Sequence, residues 1–219
     1  VRQTPTNQLE RLGALARTPA DRALLMSALR ELDASHGFAA KLSADPDLGL
    51  IMAEFVTRLT AAFGSLAAVR GRRVLDIASG SNSSRSPATG RRTVQFEPWM
   101  CRLLAALGAV PVAVDIGDLD AEAFEHYRVD LGMPGALDFL PSRSFDAIHE
   151  SRLFGSPEFR STYAAATEGV RSEIHRQERR LLRPGGILIH SDGRTPARGR
   201  PQATWRRWIR RGRLPGDGG

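Results

Sequence analysis

With 219 residues, 42% of them apolar and 25% charged, the chain can bury one substantial core, and it holds no apolar run of the ~18 residues that a membrane span requires. Its single cysteine, Cys101, excludes an intrachain disulfide, and the opening stretch VRQTPTNQLERLGAL lacks the apolar core of a signal peptide, so a cytoplasmic protein is expected. The formal net charge of +7 is not spread over the chain: residues 1–192 carry 23 basic against 23 acidic side chains, and residues 193–219 carry eight Arg against Asp217 alone.

Residues 7–69 read as helices. Leu24, Leu25, Ala28, Leu29 and Leu32 recur at helical spacing, with Pro19 and Asp21 near the start of that segment and Gly37 past its end. Leu48, Ile51, Met52, Phe55, Leu59 and Phe63 form a second such stripe. Core packing is the simpler reading of both stripes, and a lid over a substrate site is the functional alternative.

The run VLDIASGSN at 74–82 breaks from this pattern. Val74, Leu75 and Ile77 suit a buried parallel strand, Asp76 stands near its end, and Ala78, Ser79, Gly80 and Ser81 have side chains small enough for a ligand to approach the backbone. A dinucleotide fingerprint would place three glycines here to receive a pyrophosphate. This turn has one, Gly80, and it carries an acid that would repel phosphate. The polar run SSRSPATGRR then delays the next helix, which Phe96-Glu97-Pro98-Trp99 opens and Gly108 ends; the run reads either as a flap over the ligand or as a surface loop. Trp99 reads as core.

The second strand, Pro111 to Asp115, turns through Ile116, Gly117 and Asp118. An acid closing a second strand is placed to accept both ribose hydroxyls of an adenosine ligand. A short helix and a third strand near Tyr127–Leu131 follow, then a fourth strand, DAIHESRLF, from Asp146. His149 and Glu150 lie toward its carboxyl end and are candidate bases, although a well-positioned nucleophile needs none. An amphipathic helix over 157–182 stops at Arg183-Pro184-Gly185-Gly186, and Ile187–His190 make a fifth strand.

Four of these stretches, in this order, resemble the class I S-adenosylmethionine-dependent methyltransferases. They are the turn after Asp76, Asp115 itself, GALDFLPSRSFD at 135–146, and LLRPGGIL at 181–188. The first is similar to the family's D-x-G-x-G-x-G, with Ala78 and Asn82 in glycine positions, and the last to its L-x-P-G-G-x-L. The resemblance implies an α/β, Rossmann-like, doubly wound and mostly parallel sheet. It implies S-adenosyl-L-methionine as cofactor, with Asp76, Ala78, Ser79, Gly80 and Ser81 around the methionine and Asp115 and Ile116 at the ribose. Asp138 and Phe139 are expected on the adenine side, since the family's acid there is replaced by Ala136. Asp146 is expected to be structural, and no metal ligand is assigned.

Three segments follow: an N-terminal helical segment over 1–70, the Rossmann-like core over 71–192, and an Arg-rich tail over 193–219, where the family's last two strands have no counterpart pattern. Trp205, Trp208 and Ile209 among Arg206, Arg207, Arg210 and Arg211 suggest a short basic helix that docks on the sheet edge, stays disordered or grips RNA. The expected acceptor is a small molecule. The alternatives are a methyltransferase-like binding or scaffold module that has lost transfer, and an RNA methyltransferase that uses the tail.

Overall fold

Apolar β-branched runs in this chain become the centre of a parallel sheet. The computed structural model describes residues 5–82, 93–151, 153–154, 159, 162–191 and 209–211. Five strands lie side by side and parallel: β1 (Arg73–Ile77), β2 (Val110–Asp115), β3 (Glu125–Arg128), β4 (Phe145–Ser151) and β5 (Leu182–Ser191), in the spatial order β3-β2-β1-β4-β5. The fold is thus a Rossmann-like α/β sheet whose strand order reverses between β1 and β4, which is where such sheets open a ligand crevice.

Alternation along the strands splits the core into two layers. Val74 and Ala147 face the helices α2 (Pro19–His36), α4 (Pro46–Phe63) and α5 (Trp99–Ala106), where Leu25, Leu29, Met52, Leu59, Trp99 and Leu103 are buried. Leu75, Ile77, Val112, Val114 and Ile148 face the other way, toward Val170, Ile174 and Leu181 of α6 (Thr167–Leu181). The N-terminal helices, with α1 (Pro5–Gly13) and α3 (Phe38–Ala44), therefore share a core with the sheet.

Local chemistry sets the helix ends. Thr18 caps α2 by accepting from Asp21 N–H at 3.1 Å, Pro19 occupies its first turn, and Gly37 ends it at φ +63°, a conformation that favours glycine. The helix thus ends where Gly37 is expected to end it, and α3 is a further short helix between the two expected stripes. Asp21 is buried, and its Oδ1 accepts from the Leu66 and Ala67 N–H groups at 3.0 and 3.3 Å, which ties the start of α2 to the link before β1. Asp146 has the structural place expected of it: it accepts from Arg73 N–H at 2.8 Å and from Arg183 at 2.9 Å, joining the starts of β1, β4 and β5.

Three expectations are revised. No helix forms between β2 and β3; the segment has no apolar stripe, and Glu122 turns inward to Arg102. The pairing of β5 begins at Leu182 opposite Phe145, and Arg183–Gly186 bulge before Ile187 meets Ala147. In the tail, Ile209–Arg211 form β6, an antiparallel strand beside β5, and not part of a helix. An edge strand with unpaired backbone groups is satisfied in this way. The loop at 83–92, and Trp205, Trp208, Arg206 and Arg207, lie outside the described residues.

Candidate functional site

A cavity of about 410 Å³ opens at the carboxyl ends of β1, β2 and β4. The turn after β1 forms its floor, and the backbone there is unusual. Ala78 sits at φ +57° and Gly80 at φ +87°. Ala78 therefore occupies a left-handed position that an L-residue adopts only at a cost of roughly 1–2 kcal/mol. Gly80 has no alternative, because a Cβ there would stand 2.2 Å from the Phe96 carbonyl oxygen.

The turn is fastened to the acid that closes β2. Gly80 N–H donates to Asp115 Oδ2 at 2.9 Å and Gly117 N–H to Oδ1 at 2.8 Å, while Ser81 N–H donates to the Phe96 carbonyl at 2.9 Å. Burial pushes the Asp115 carboxyl above its ordinary value, and the Gly117 and Gly80 amides counter only part of that rise. Each carboxylate oxygen has a further lone pair for a ligand hydroxyl.

Asp76 and His149 meet across β1 and β4, where they are register partners. His149 Nδ1 lies 2.6 Å from Asp76 Oδ1, and Arg58 Nη1 lies 3.1 Å from His149 Nε2. A guanidinium can only donate, so Nε2 accepts and Nδ1–H donates to Asp76; this fixes the neutral tautomer. Arg58 also binds Glu54 one helical turn away, Cys101 Sγ lies 3.5 Å from Asp76 Oδ2, and Phe55 sets its ring edge-on to His149. Burial, and then the Asp76 charge, raise the Cys101 thiol well above its usual range, so it stays a thiol.

Behind the wall formed by Gln95–Glu97 lies a buried ionic network centred on Arg102, which is 4% exposed. Arg102 donates to Glu97 at 2.5 Å, to Glu122 at 2.6 Å and to Asn82 at 2.8 Å, and stacks over Trp99 at 4.5 Å from the ring centroid. Lys41 adds a second bond to Glu97 at 2.7 Å. Burial opposes ionisation of Glu97, but Lys41 and Arg102 outweigh it and hold the carboxyl below its usual value. Glu122 is lowered in the same way, burial being outweighed by Arg102 and Asn82.

Of the residues singled out in the sequence, Asp76, Ala78, Ser79, Gly80, Ser81, Asp115, Ile116 and His149 line the cavity. Glu150, Asp138 and Phe139 do not. Glu150 points to the opposite face of β4, where it accepts from Leu153 N–H at 3.1 Å and pairs with His190. Asp138 binds Gln177 and Arg176 on α6, and Phe139 is 51% exposed, packed edge-on against Tyr127. The cavity is lined instead by Asp130, just past β3, which accepts from Gly132 N–H at 2.9 Å and from Tyr163 OH. The sequence carried a signal for this, since Asp130 follows a strand much as Asp115 does. Ile51 and Phe55 of α4 also form part of the wall, and nothing in the helical periodicity marks them apart from core.

No family model matches the chain, and no curated protein does. Solved structures similar to it include the following three. One is a complex between the Haloferax volcanii Trm112 methyltransferase activator and a protein assigned as a methyltransferase, at 15% identity, TM-score 0.34, covering 61% of this chain and 52% of that one. Another is the carbon methyltransferase CurJ, at 17% identity and TM-score 0.37, over 85% of this chain and 46% of that one. The third is the trans-methyltransferase CalH in complex with SAH, at 14% identity and TM-score 0.33, over 84% and 52%. The chain spans about half the length of each of these three structures. The fold assignment rests on the strand order and not on these similarities.

Proposed function

We propose that the chain binds S-adenosylmethionine in this cavity and transfers its methyl group to a small-molecule acceptor. The observation that carries the reading is the charge of the wall. Among the described residues the lining includes four acids, Asp76, Glu97, Asp115 and Asp130, with no Lys or Arg. Such a wall disfavours the phosphates of a dinucleotide and suits a ligand that carries an ammonium and a sulfonium. The cofactor, when bound, supplies an electrophilic methyl on that sulfonium.

The chain's own residues bind and orient. The backbone from Ala78 to Ser81 lies where the methionine moiety would rest, Asp115 would accept from the ribose hydroxyls with Ile116 beside it, and the segment 129–132 would face the adenine. Ile51, Phe55, Leu153 and Phe159 exclude water, which strengthens every charge interaction inside. His149 holds its proton on Nδ1 and spends its Nε2 lone pair on Arg58. Transfer in this arrangement therefore depends on positioning an acceptor that is already nucleophilic, and His149 acts as a positioning residue for Asp76.

Titration of the whole chain with S-adenosylmethionine, its demethylated product and NAD⁺ tests the reading. Binding of the first two and not the third is expected. Tighter binding of NAD⁺, or no binding of any of them by the folded chain, overturns it.

A further inference from the structure

On the face of the sheet opposite His149, three side chains come together that the sequence separates. His175 and Glu178 lie three residues apart on α6, and His190 stands near the end of β5. One ligand atom from each lies within 4.8 Å of the others. His190 Nε2 and Glu178 Oε2 are already 3.5 Å apart. A tetrahedral zinc ion, with bonds of about 2.0–2.2 Å, places its ligands roughly 3.4 Å from one another. That pair is at ligand spacing, and a His175 ring nitrogen lies within 4.8 Å of both.

Two further observations point to a cation. Glu178 is 1% exposed, and its Oε1 makes no hydrogen bond among the described residues. A buried carboxylate oxygen without a donor is costly unless something positive meets it. His190 Nδ1 is 3.1 Å from Glu150 Oε2. A carboxylate that takes the far ring proton of an imidazole leaves the near nitrogen with its lone pair, the arrangement found behind metal-bound histidines. Glu150, which has no place in the cavity, has one here.

We infer that His175, Glu178 and His190 form a binding site for a divalent transition ion of the zinc class, with Glu150 orienting His190 and a water completing the coordination. Two imidazoles and one carboxylate match the ligand preferences of zinc better than those of magnesium or calcium, which take oxygen. The ion joins α6 to the ends of β4 and β5. Because Leu153 N–H donates to Glu150 and Leu153 lines the cavity, the ion also braces one cavity wall.

The test is independent of methyl transfer. The full chain is dialysed against chelator, titrated with zinc chloride by calorimetry, and substituted with cobalt(II) for visible spectroscopy. One equivalent of zinc, a raised melting temperature and the absorption of four-coordinate cobalt are expected. Glu178→Gln keeps the volume and removes the buried charge, so it folds while zinc affinity falls at least about ten-fold; His175→Ala serves as a second variant. Glu150→Gln weakens zinc by about 10–100-fold. A folded, metal-free chain that takes up no zinc overturns the inference, as does zinc affinity that survives both Glu178→Gln and His175→Ala.

Discussion

Replacing Arg102 with Met removes the cation that three groups share while keeping an unbranched side chain over Trp99. Glu97 would lose its 2.5 Å partner and retain Lys41 at 2.7 Å, and Glu122 would lose its 2.6 Å partner and retain Asn82 at 2.8 Å. Breaking a buried pair from one side costs about 3–5 kcal/mol, because a charge is left in a poorly solvated place. The surviving partners put the expected loss near the lower end, about 3 kcal/mol at neutral pH, with the lost stacking on Trp99 included. The loss also carries a pH signature. In the native protein both carboxyls titrate below 4.5, so their contribution is complete above that pH and fades as pH falls through the lowered values. In the variant Glu97 keeps only Lys41 and Glu122 only Asn82 against the same burial, so ionisation contributes less to stability and the deficit narrows as pH falls through the native lowered values. Urea unfolding followed by far-ultraviolet circular dichroism at neutral and acid pH measures both effects. A deficit under about 1 kcal/mol, or one that does not change with pH, refutes the reasoning that this network holds the wall at 95–97.

Gly80→Ala forces a side chain into left-handed backbone against the Phe96 carbonyl, so a stability loss of about 2–4 kcal/mol is expected in thermal unfolding, together with loss of cofactor binding. Nitrogen NMR of His149 should find the proton on Nδ1 and none on Nε2; the reverse would contradict the Arg58 contact. The raised Asp115 carboxyl gains its proton at a pH above 3.8, and a protonated acid accepts fewer hydroxyl bonds. Calorimetric affinity for S-adenosylmethionine should therefore weaken as pH falls toward that range, a dependence that Asp115→Asn removes.

The parallel strands and the turn after β1 were legible because each is a local pattern: an apolar run, an acid, then small residues. Asp76, Gly80 and Asp115 could be placed relative to one another because parallel strands align their ends. What failed was whatever depended on a partner from elsewhere in the chain. His149 and Glu150 are adjacent in one strand and so face opposite layers, but which faces the cavity is decided by where α4 packs, and periodicity does not say. Asp138 was read by its distance from Gly135, whereas Gln177 and Arg176 on a helix more than 35 residues away claim its carboxylate. The cluster of His175, Glu178 and His190 is invisible for the same reason, since only the packing of α6 on β5 joins it. Ala78 stands in a glycine position of the resembled motif, and its φ of +57° is a backbone conformation that favours glycine.

Asp115 and the turn tied to it are the proposed cofactor site. Calorimetric titration of S-adenosylmethionine into the native chain and into Asp115→Ala tests that proposal most directly. One equivalent bound by the native chain, with affinity at least about ten-fold weaker in a folded variant, is the predicted result, the loss of about 1.4 kcal/mol or more expected when ribose hydroxyls lose a charged acceptor. Equal affinity in the two proteins, or no binding by the folded native chain, would contradict it.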